Sequence, residues 1–311
     1  MRDPAEDAGT TRSAALARQG LSARDWGAAG LVVLIWAMNF VVGKVGVMEL
    51  PPLLLMALRF ALVALLLAPF LRWPGRDRWR LIMALAVILG CLHFGLLFVG
   101  LSGVAAGPAA IAIQLAVPFS ALMAAVFYRE RLSVWQMTGM GVAFAGIWML
   151  AGEPSHARSL PHLMLVVIAA FSWSFANVLI KRLGRINVFA LNGWVALLTA
   201  PLLLAASALF EDGQVEAVAA ADWRGWGAII YMAVGASVIA YGLWYYLIEK
   251  HEMNRVVPMT LLAPVLAVFL SAWLLGEPLT TTLLLGGGVT LAGVAMIQFL
   301  RPVRPEPPVP T

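Results

Sequence analysis

Polar side chains inside long apolar runs are the residues of this sequence that could do chemistry. The first apolar run carries Trp36 and Asn39, and a run in the second half carries Trp173 and Asn177. On a helix, residues three or four apart share one face. Indole N–H and amide groups can hydrogen-bond both ends of a zwitterion without binding either end tightly. These two stripes could therefore line a substrate cavity, or they could equally bond neighbouring helices.

A basic side chain stands deep in the second apolar run. Arg59 lies eight residues beyond Pro51, which is about 12 Å along a helix. Burying an arginine there costs at least about 2.5 kcal/mol on insertion scales, so the side chain should face protein or water. It could receive a substrate carboxylate from the outer vestibule, or snorkel outward and bond helix-end carbonyls. Lys44 lies nearer the outer surface, and we expect it to snorkel.

Three further polar residues extend the candidate site. His93, in the middle of the third run, could relay protons or bind substrate, or it could bond a neighbouring helix. Gln114 lies four residues before Pro118, and a proline frees a backbone carbonyl of its helix. Tyr241 follows Ser237 on one face of the eighth run. The predicted substrate-binding residues are Trp36, Asn39, Arg59, His93, Gln114, Trp173, Asn177 and Tyr241.

The sequence offers little for other chemistry. No acidic residue lies well inside an apolar run, which disfavours a dedicated pump for lipophilic cations. The single cysteine, Cys91, cannot form an intrachain disulfide or a cysteine metal cluster. Neither a phosphate-binding glycine loop nor a catalytic triad is present. We expect no catalytic residue, no metal, no cofactor and no enzyme activity.

The elements that position these residues must be membrane helices. Hydrophobic types make up 62% of the 311 residues and charged types 12%, whereas soluble domains carry about 25% charged residues. Roughly 20 apolar residues suffice to cross the bilayer, and continuous rather than alternating runs indicate helices rather than barrel strands. The ten runs lie near 26–47, 52–71, 81–101, 108–127, 134–152, 162–181, 188–210, 225–248, 256–275 and 281–300. The predicted fold class is an all-α membrane protein with the lipid bilayer around it.

The basic residues predict the orientation. If the N-terminus is cytoplasmic and the chain crosses ten times, seventeen of the 21 lysines and arginines fall on the cytoplasmic side, as the positive-inside rule requires. The acidic stretch 211–222 then lies outside, and both termini are cytoplasmic. Because the basic residues flank helices instead of lining a groove, nucleic acid is excluded as a partner. We expect a multi-pass protein of the bacterial cytoplasmic (inner) membrane.

An internal repeat divides the chain. A shift of 147 residues matches eight identical pairs within twenty positions, among them Glu130 with Glu277, Gly139 with Gly286 and Gly146 with Gly293. Each repeat holds five helices, and because five is odd the second copy must be inverted in the membrane. Inverted repeats are a common plan of secondary transporters, with the substrate site at the repeat interface.

The repeat sets the expected organisation. The glycines should pack helices closely, either between the two repeats or between two subunits of a homodimer. The expected units are a cytoplasmic tail (1–25), a first repeat (26–152), a periplasmic linker (153–161), a second repeat (162–300) and a disordered cytoplasmic tail (301–311).

Several of these stretches resemble a known family. The segment 36–40 with Lys44, the prolines 51–52 and the segment 58–60 resemble the EamA-type family of the drug/metabolite transporter superfamily. The second-half stretch with Trp173, Asn177 and Lys181, and the closing segment 264–279, fit the same family. The resemblance covers residues 26–300. It implies ten helices, two repeats, a central cavity and export of small molecules.

Among members of the family, the chain looks most like bacterial exporters of amino acids and cysteine-pathway metabolites. We therefore expect a secondary transporter that exports amino acids or related small metabolites by alternating access with broad specificity. The alternatives are an exporter of lipophilic drugs, cations or other metabolites and, in a different class, a membrane enzyme or scaffold that transports nothing.

Overall fold

The computed structural model describes residues 22–152, 159–184, 186–251 and 256–300. These residues form ten helices long and apolar enough to span a membrane, as predicted. They are α1 (Ala23–Glu49), α2 (Pro52–Phe70), α3 (Arg76–Gly103), α4 (Ala106–Tyr128), α5 (Val134–Ala151), α6 (Leu160–Leu183), α7 (Val188–Phe210), α8 (Trp223–Lys250), α9 (Pro258–Leu275) and α10 (Thr281–Phe299). The expectations for the tail 301–311, for most of the tail 1–25 and for most of the linker fall outside the described residues.

Local sequence sets where these helices begin and end. A capping box of Ser22 and Asp25 opens α1, and Asn187 caps α7, each satisfying backbone N–H groups that have no partner within the helix. Two helices at matching places in the repeats end alike. α4 ends at Arg129 with φ 53° and α9 ends at Gly276 with φ 69°. Both residues adopt the left-handed backbone conformation, and each is followed directly by one of the matched glutamates, Glu130 and Glu277.

The helices pack in pairs that the inverted repeat relates to one another. α1 packs on α8 and α9, while its repeat partner α6 packs on α3 and α4. We call α3, α4 and α6 the first bundle, and α1, α8 and α9 the second bundle. Each bundle therefore combines helices of both repeats, and exchanging the repeats exchanges the bundles. α2 packs on α7, and α5 packs on α10.

Polar contacts join α1 and α8 within the second bundle. The buried carboxylate of Asp25 lies 2.9 Å from Lys250 Nζ and 3.1 Å from His251 Nε2. Nearer the middle of α8, the Tyr231 hydroxyl donates to the Ile35 carbonyl over 3.0 Å. These contacts tie the two helices together at two levels.

Four helices of the two bundles depart from regular α geometry, and they do so in matching places. α3 is a π-helix over Ala86–Gly95, and α8 is one over Tyr231–Ile239. π segments occur frequently at functional sites. α4 contains a 3-10 turn at Ile113–Leu115 and α9 begins with one at Val257–Leu261. These turns precede Pro118 and Pro264, whose missing N–H groups interrupt the helix.

Glycines hold α5 against α10 within one chain. A Cβ added at Gly139 would lie 2.7 Å from the Gly293 carbonyl oxygen, and one added at Gly286 would lie 2.9 Å from the Gly146 carbonyl oxygen. Only glycine permits this approach of two backbones. Of the two expected roles, the structure shows packing between the repeats. The homodimer stays a prediction without this contact to support it.

Candidate functional site

A cavity enters the molecule between the two bundles. Its wide part has a volume of about 180 Å³ and is lined by α3, α6, α7 and α8. It opens where α6 ends at Gly184 and α7 begins at Val188, which is the predicted cytoplasmic side. Leu89, Asn192 and Val195 also line a smaller hollow of about 30 Å³ next to Arg59. Because they share these three lining residues, the two spaces adjoin each other, with the wide part nearer the predicted inner surface.

Arg59 lines the smaller hollow, which we call the closed end of the cavity because it lies farther from the predicted inner surface than the wide part. Its side chain is 2% exposed, and Nη2 donates to Ser237 Oγ over 3.1 Å. The guanidinium carbon lies 4.7 Å from the Phe94 ring centroid and 5.5 Å from that of Phe60. Arg59 is therefore buried and does not snorkel to the surface. Its role as a receptor for a substrate carboxylate stays a prediction, and the cavity next to it lies towards the predicted inner end rather than an outer vestibule.

Aromatic side chains surround the arginine on both sides. The His93 ring lies 4.9 Å from Trp173 and 4.5 Å from Phe94, between centroids. On the other side Tyr241, which lines the hollow, lies 5.8 Å from Trp36. The structure thus brings five predicted residues to the two sides of the smaller hollow, and we call them the aromatic shell: Trp36, Arg59, His93, Trp173 and Tyr241.

The His93 side chain forms a hydrogen bond to a neighbouring helix, which is one of the roles expected for it. Its Nδ1 donates to the Ala169 carbonyl of α6 over 2.9 Å, so the side chain bonds a neighbouring helix of the same bundle. That bond fixes the proton on Nδ1 and leaves Nε2 as an acceptor in the neutral ring. The geometry corresponds to the packing role, while a proton relay stays a prediction.

The three predicted amides occupy different environments. Asn39 is half-buried one turn beyond Trp36, and its Oδ1 is buried without a partner among the described residues. Gln114 is half-buried in the 3-10 turn of α4. Asn177 is exposed and does not line the cavity, although we expected it to face the interior. Among the described residues, none of the three makes a side-chain hydrogen bond to the shell.

Asn192 is a site residue that the sequence reasoning missed. It lines both parts of the cavity, in the first half of α7. The signal was available, because an amide within an apolar run is the same feature that identified Asn39. It was overlooked because Asn192 belongs to no stripe that recurs in the other repeat.

Charged groups close the predicted outer end between the bundles. Lys44 of α1 donates to the carbonyls that end α3, at 2.8 Å from Leu101 and Val104 and 3.2 Å from Ser102. The ammonium group therefore bonds helix-end carbonyls at the predicted outer end, and the expected snorkelling stays a prediction. Glu277, after α9, accepts from the first two N–H groups of α4, Ala106 at 2.7 Å and Gly107 at 3.1 Å. We call Lys44, Glu277 and these helix ends the outer seal.

The repeat partners of the seal residues are not engaged in this way. Lys181 corresponds to Lys44; it is exposed, and its Nζ lies 3.7 Å from the Tyr128 ring centroid. Glu130 corresponds to Glu277; it is exposed, and its carboxylate makes no hydrogen bond within the described part of the chain. Both lie at the predicted inner end, where the cavity opens. The repeat thus relates the two ends of the molecule, but the lysine and glutamate are hydrogen-bonded to helix ends at the outer end and exposed at the inner end.

A membrane-spanning inverted repeat with a cavity between its two bundles is the plan of a membrane transporter. Comparison with known proteins agrees. The family model of the EamA-like transporter family matches residues 27–152 and 160–299, and the chain belongs to this family. The described residues include no group of three or more His, Cys, Asp or Glu placed to hold a metal ion.

Individual relatives extend the comparison. A "Probable amino-acid metabolite efflux pump" of Salmonella typhimurium is 33% identical, covering 90% of this chain and 96% of that protein. An uncharacterized inner membrane transporter of Escherichia coli, YedA, is 25% identical over 90% of this chain and 93% of its own length. A solved crystal structure with 21% identity has a TM-score of 0.61 and covers 88% of this chain and 96% of that chain, which shows the fold. The chain is a multi-pass inner-membrane protein.

Proposed function

We propose that this transporter exports amino acids or related small metabolites by alternating access, with both termini in the cytoplasm. The observation that carries the proposal is the difference between the two ends. The outer seal is closed by Lys44 and Glu277, while Lys181 and Glu130 at the predicted inner end are exposed. A cavity next to the unsealed end, which the proposed orientation places in the cytoplasm, suits the loading step of an exporter.

The inverted repeat supports a second state of similar energy. In that state Lys181 binds the carbonyls that end α8, and Glu130 accepts from the first N–H groups of α9, as their partners do now for α3 and α4. The outer seal opens at the same time, since each seal joins the first bundle to the second. Rocking of the bundles around the central site then exposes the substrate to the other side.

The size and chemistry of the cavity support a small polar substrate. Its volume of about 180 Å³ is below the roughly 300–1,000 Å³ of pockets for drug-sized ligands. An arginine at the closed end also disfavours a lipophilic cation, because like charges repel. The walls of aromatic rings and apolar side chains contact a substrate without selecting one shape, which supports broad specificity.

The proposed orientation makes a direct prediction about the acidic outer loop. Glu216, exposed in the short helix Gln214–Ala220, is replaced by cysteine in a chain that carries Cys91→Ala and so has no other thiol. We expect a membrane-impermeant maleimide to label whole cells at this position. A cysteine in place of Arg76, exposed at the predicted inner end of α3, is the matched control and should react only after the cells are opened. The reverse pattern would overturn the orientation.

Transport itself is tested with the purified chain in proteoliposomes. Vesicles preloaded with unlabelled amino acids should accumulate a labelled amino acid at least about tenfold faster than protein-free vesicles. The reason is exchange, because a carrier that takes an unlabelled molecule out can return with a labelled molecule bound. A labelled lipophilic cation should show no such exchange. Cation exchange without amino-acid exchange would favour the drug-exporter alternative, and exchange of neither compound would contradict the proposed function.

A further inference from the structure

The cavity holds one buried charge, and it is positive. The lining of both parts includes Arg59 and the polar side chains Asn192, Ser237, Tyr241 and Tyr245, and otherwise apolar residues, with no Asp or Glu. Arg59 forms no ion pair with any of the described residues. The ion pairs found at the inner end are those of Asp25 with Lys250 and His251. A charge buried in this way is costly unless an opposite charge or hydrogen bonds compensate for it.

The hydrogen bonds of Arg59 are incomplete on the protein side. A guanidinium has five N–H donors. Arg59 uses one on Ser237 Oγ and one on the weak acceptor Met56 Sδ, at 3.7 Å, while Nε is buried without a partner. Three donors therefore have no protein acceptor among the described residues. Together with the cavity next to Arg59, they could bind an anion.

A carboxylate fits this site better than other small groups. Its two oxygens accept two parallel N–H bonds from a guanidinium in a planar, bidentate arrangement. The rings of Phe60 and Phe94 hold the guanidinium in place from the apolar side, and the Ser237 hydroxyl, which itself donates to the Met232 carbonyl over 2.9 Å, fixes one nitrogen. Ser237 is thus a positioning residue for the arginine.

From this arrangement we infer that Arg59 binds the substrate carboxylate and that the preferred substrates are small monocarboxylates whose amino group is absent or acylated. The inference rests on the proposed function and names its substrate class. A monoanion neutralises Arg59 completely. A zwitterion brings a second positive charge into a lining without a carboxylate, where aromatic rings such as that of Tyr241 offer only a cation–π contact. 2-Oxo acids and N-acyl amino acids should therefore bind more tightly than the parent amino acids.

Four compounds with one side chain test this order. Leucine, N-acetylleucine, 4-methyl-2-oxopentanoate and leucinamide compete with a labelled amino acid for exchange in proteoliposomes. We expect half-inhibition by the two monoanions at concentrations at least about fivefold below that of leucine, and none by leucinamide. Equal potency of leucine and N-acetylleucine would overturn the preference for monoanions, and competition by leucinamide would overturn the carboxylate site.

Variants assign the effect to the arginine. Arg59→Gln should weaken both monoanions at least about tenfold and abolish their advantage over leucine, whereas Arg59→Lys keeps the charge and should keep the order of potency. Arg224→Gln removes an exposed arginine at the predicted outer end and should change nothing. If Arg59→Gln keeps the parent's order of potency among the four compounds, Arg59 is not the receptor. If that variant does not fold, Arg59→Lys is used in its place. Weaker binding of the monoanions with the order of potency unchanged would then support the site, and unchanged binding would overturn it.

A binding measurement separates this inference from the proposed function. Stabilisation of the detergent-purified chain by N-acetylleucine, read as a rise in its unfolding temperature, requires a site but no transport. A rise in the parent that Arg59→Gln loses would support the site even if no exchange is seen. Exchange of amino acids without any stabilisation by the monoanions would leave the proposed function in place and refute the carboxylate site.

Discussion

Replacing Glu277 by alanine is expected to open the predicted outer end of the transporter. The carboxylate accepts two short hydrogen bonds from α4, at 2.7 and 3.1 Å, and bonds to a charged acceptor contribute about 1.5–3 kcal/mol each. A net loss of about 2 kcal/mol from the inward-open state changes the ratio of the two states roughly 30-fold. The apparent KM for cytoplasmic substrate should then rise about tenfold, because fewer molecules are ready to load.

Cysteine labelling reports the same shift without a transport assay. Ala110 is fully buried on α4, one turn below the outer seal, so Ala110→Cys in a Cys91→Ala background should resist an impermeant maleimide. Adding Glu277→Ala should make it reactive from outside. Glu216→Ala, an exposed glutamate on the same predicted side, is the matched control. If position 110 stays unreactive and the KM is unchanged, Glu277 caps α4 without gating the cavity.

The ten helices were predictable because each is a long apolar run, and the inversion followed from an odd number of helices in a recurring sequence. The close contact of α5 with α10 was visible as glycines at matched positions. The π segments of α3 and α8 were not predictable, since nothing in Ala86–Gly95 or Tyr231–Ile239 distinguishes a five-residue from a four-residue hydrogen-bond pattern.

The types of the site residues could be used to predict which residues belong to the site, but their surroundings in the fold could not be predicted from the sequence. Arg59, His93 and Trp173 were identified because polar or aromatic groups in hydrocarbon need a partner, and the structure places them in one shell of contacts. The direction from which Arg59 is reached depends on which end the bundles close, and no local sequence pattern encodes that. The role of Lys44 depended on the carbonyls of α3, some 57 residues away in sequence.

Replacing Gly293 by valine is expected to prevent α10 from packing against α5. A Cβ at Gly293 would lie 2.9 Å from the Ala143 Cα and would also meet the Gly139 carbonyl oxygen. Both are backbone atoms that cannot rotate away, so the helices must separate. Overpacking of this kind costs about 1–3 kcal/mol and sometimes more, and we expect the upper end here. The unfolding temperature in detergent and the yield of monodisperse protein measure the loss.

The repeat supplies both a second test and matched controls for this prediction. Gly146 is the repeat partner of Gly293, and a Cβ there would meet the Thr290 side chain and backbone, so Gly146→Val should lower the unfolding temperature by a similar amount. Gly141 and Gly288 are also repeat partners, but each is exposed with nothing within 4 Å of an added Cβ. Valine at either control should leave the unfolding temperature unchanged. Equal losses at all four positions would mean that glycine matters for the helices themselves, and not for the contact between the repeats.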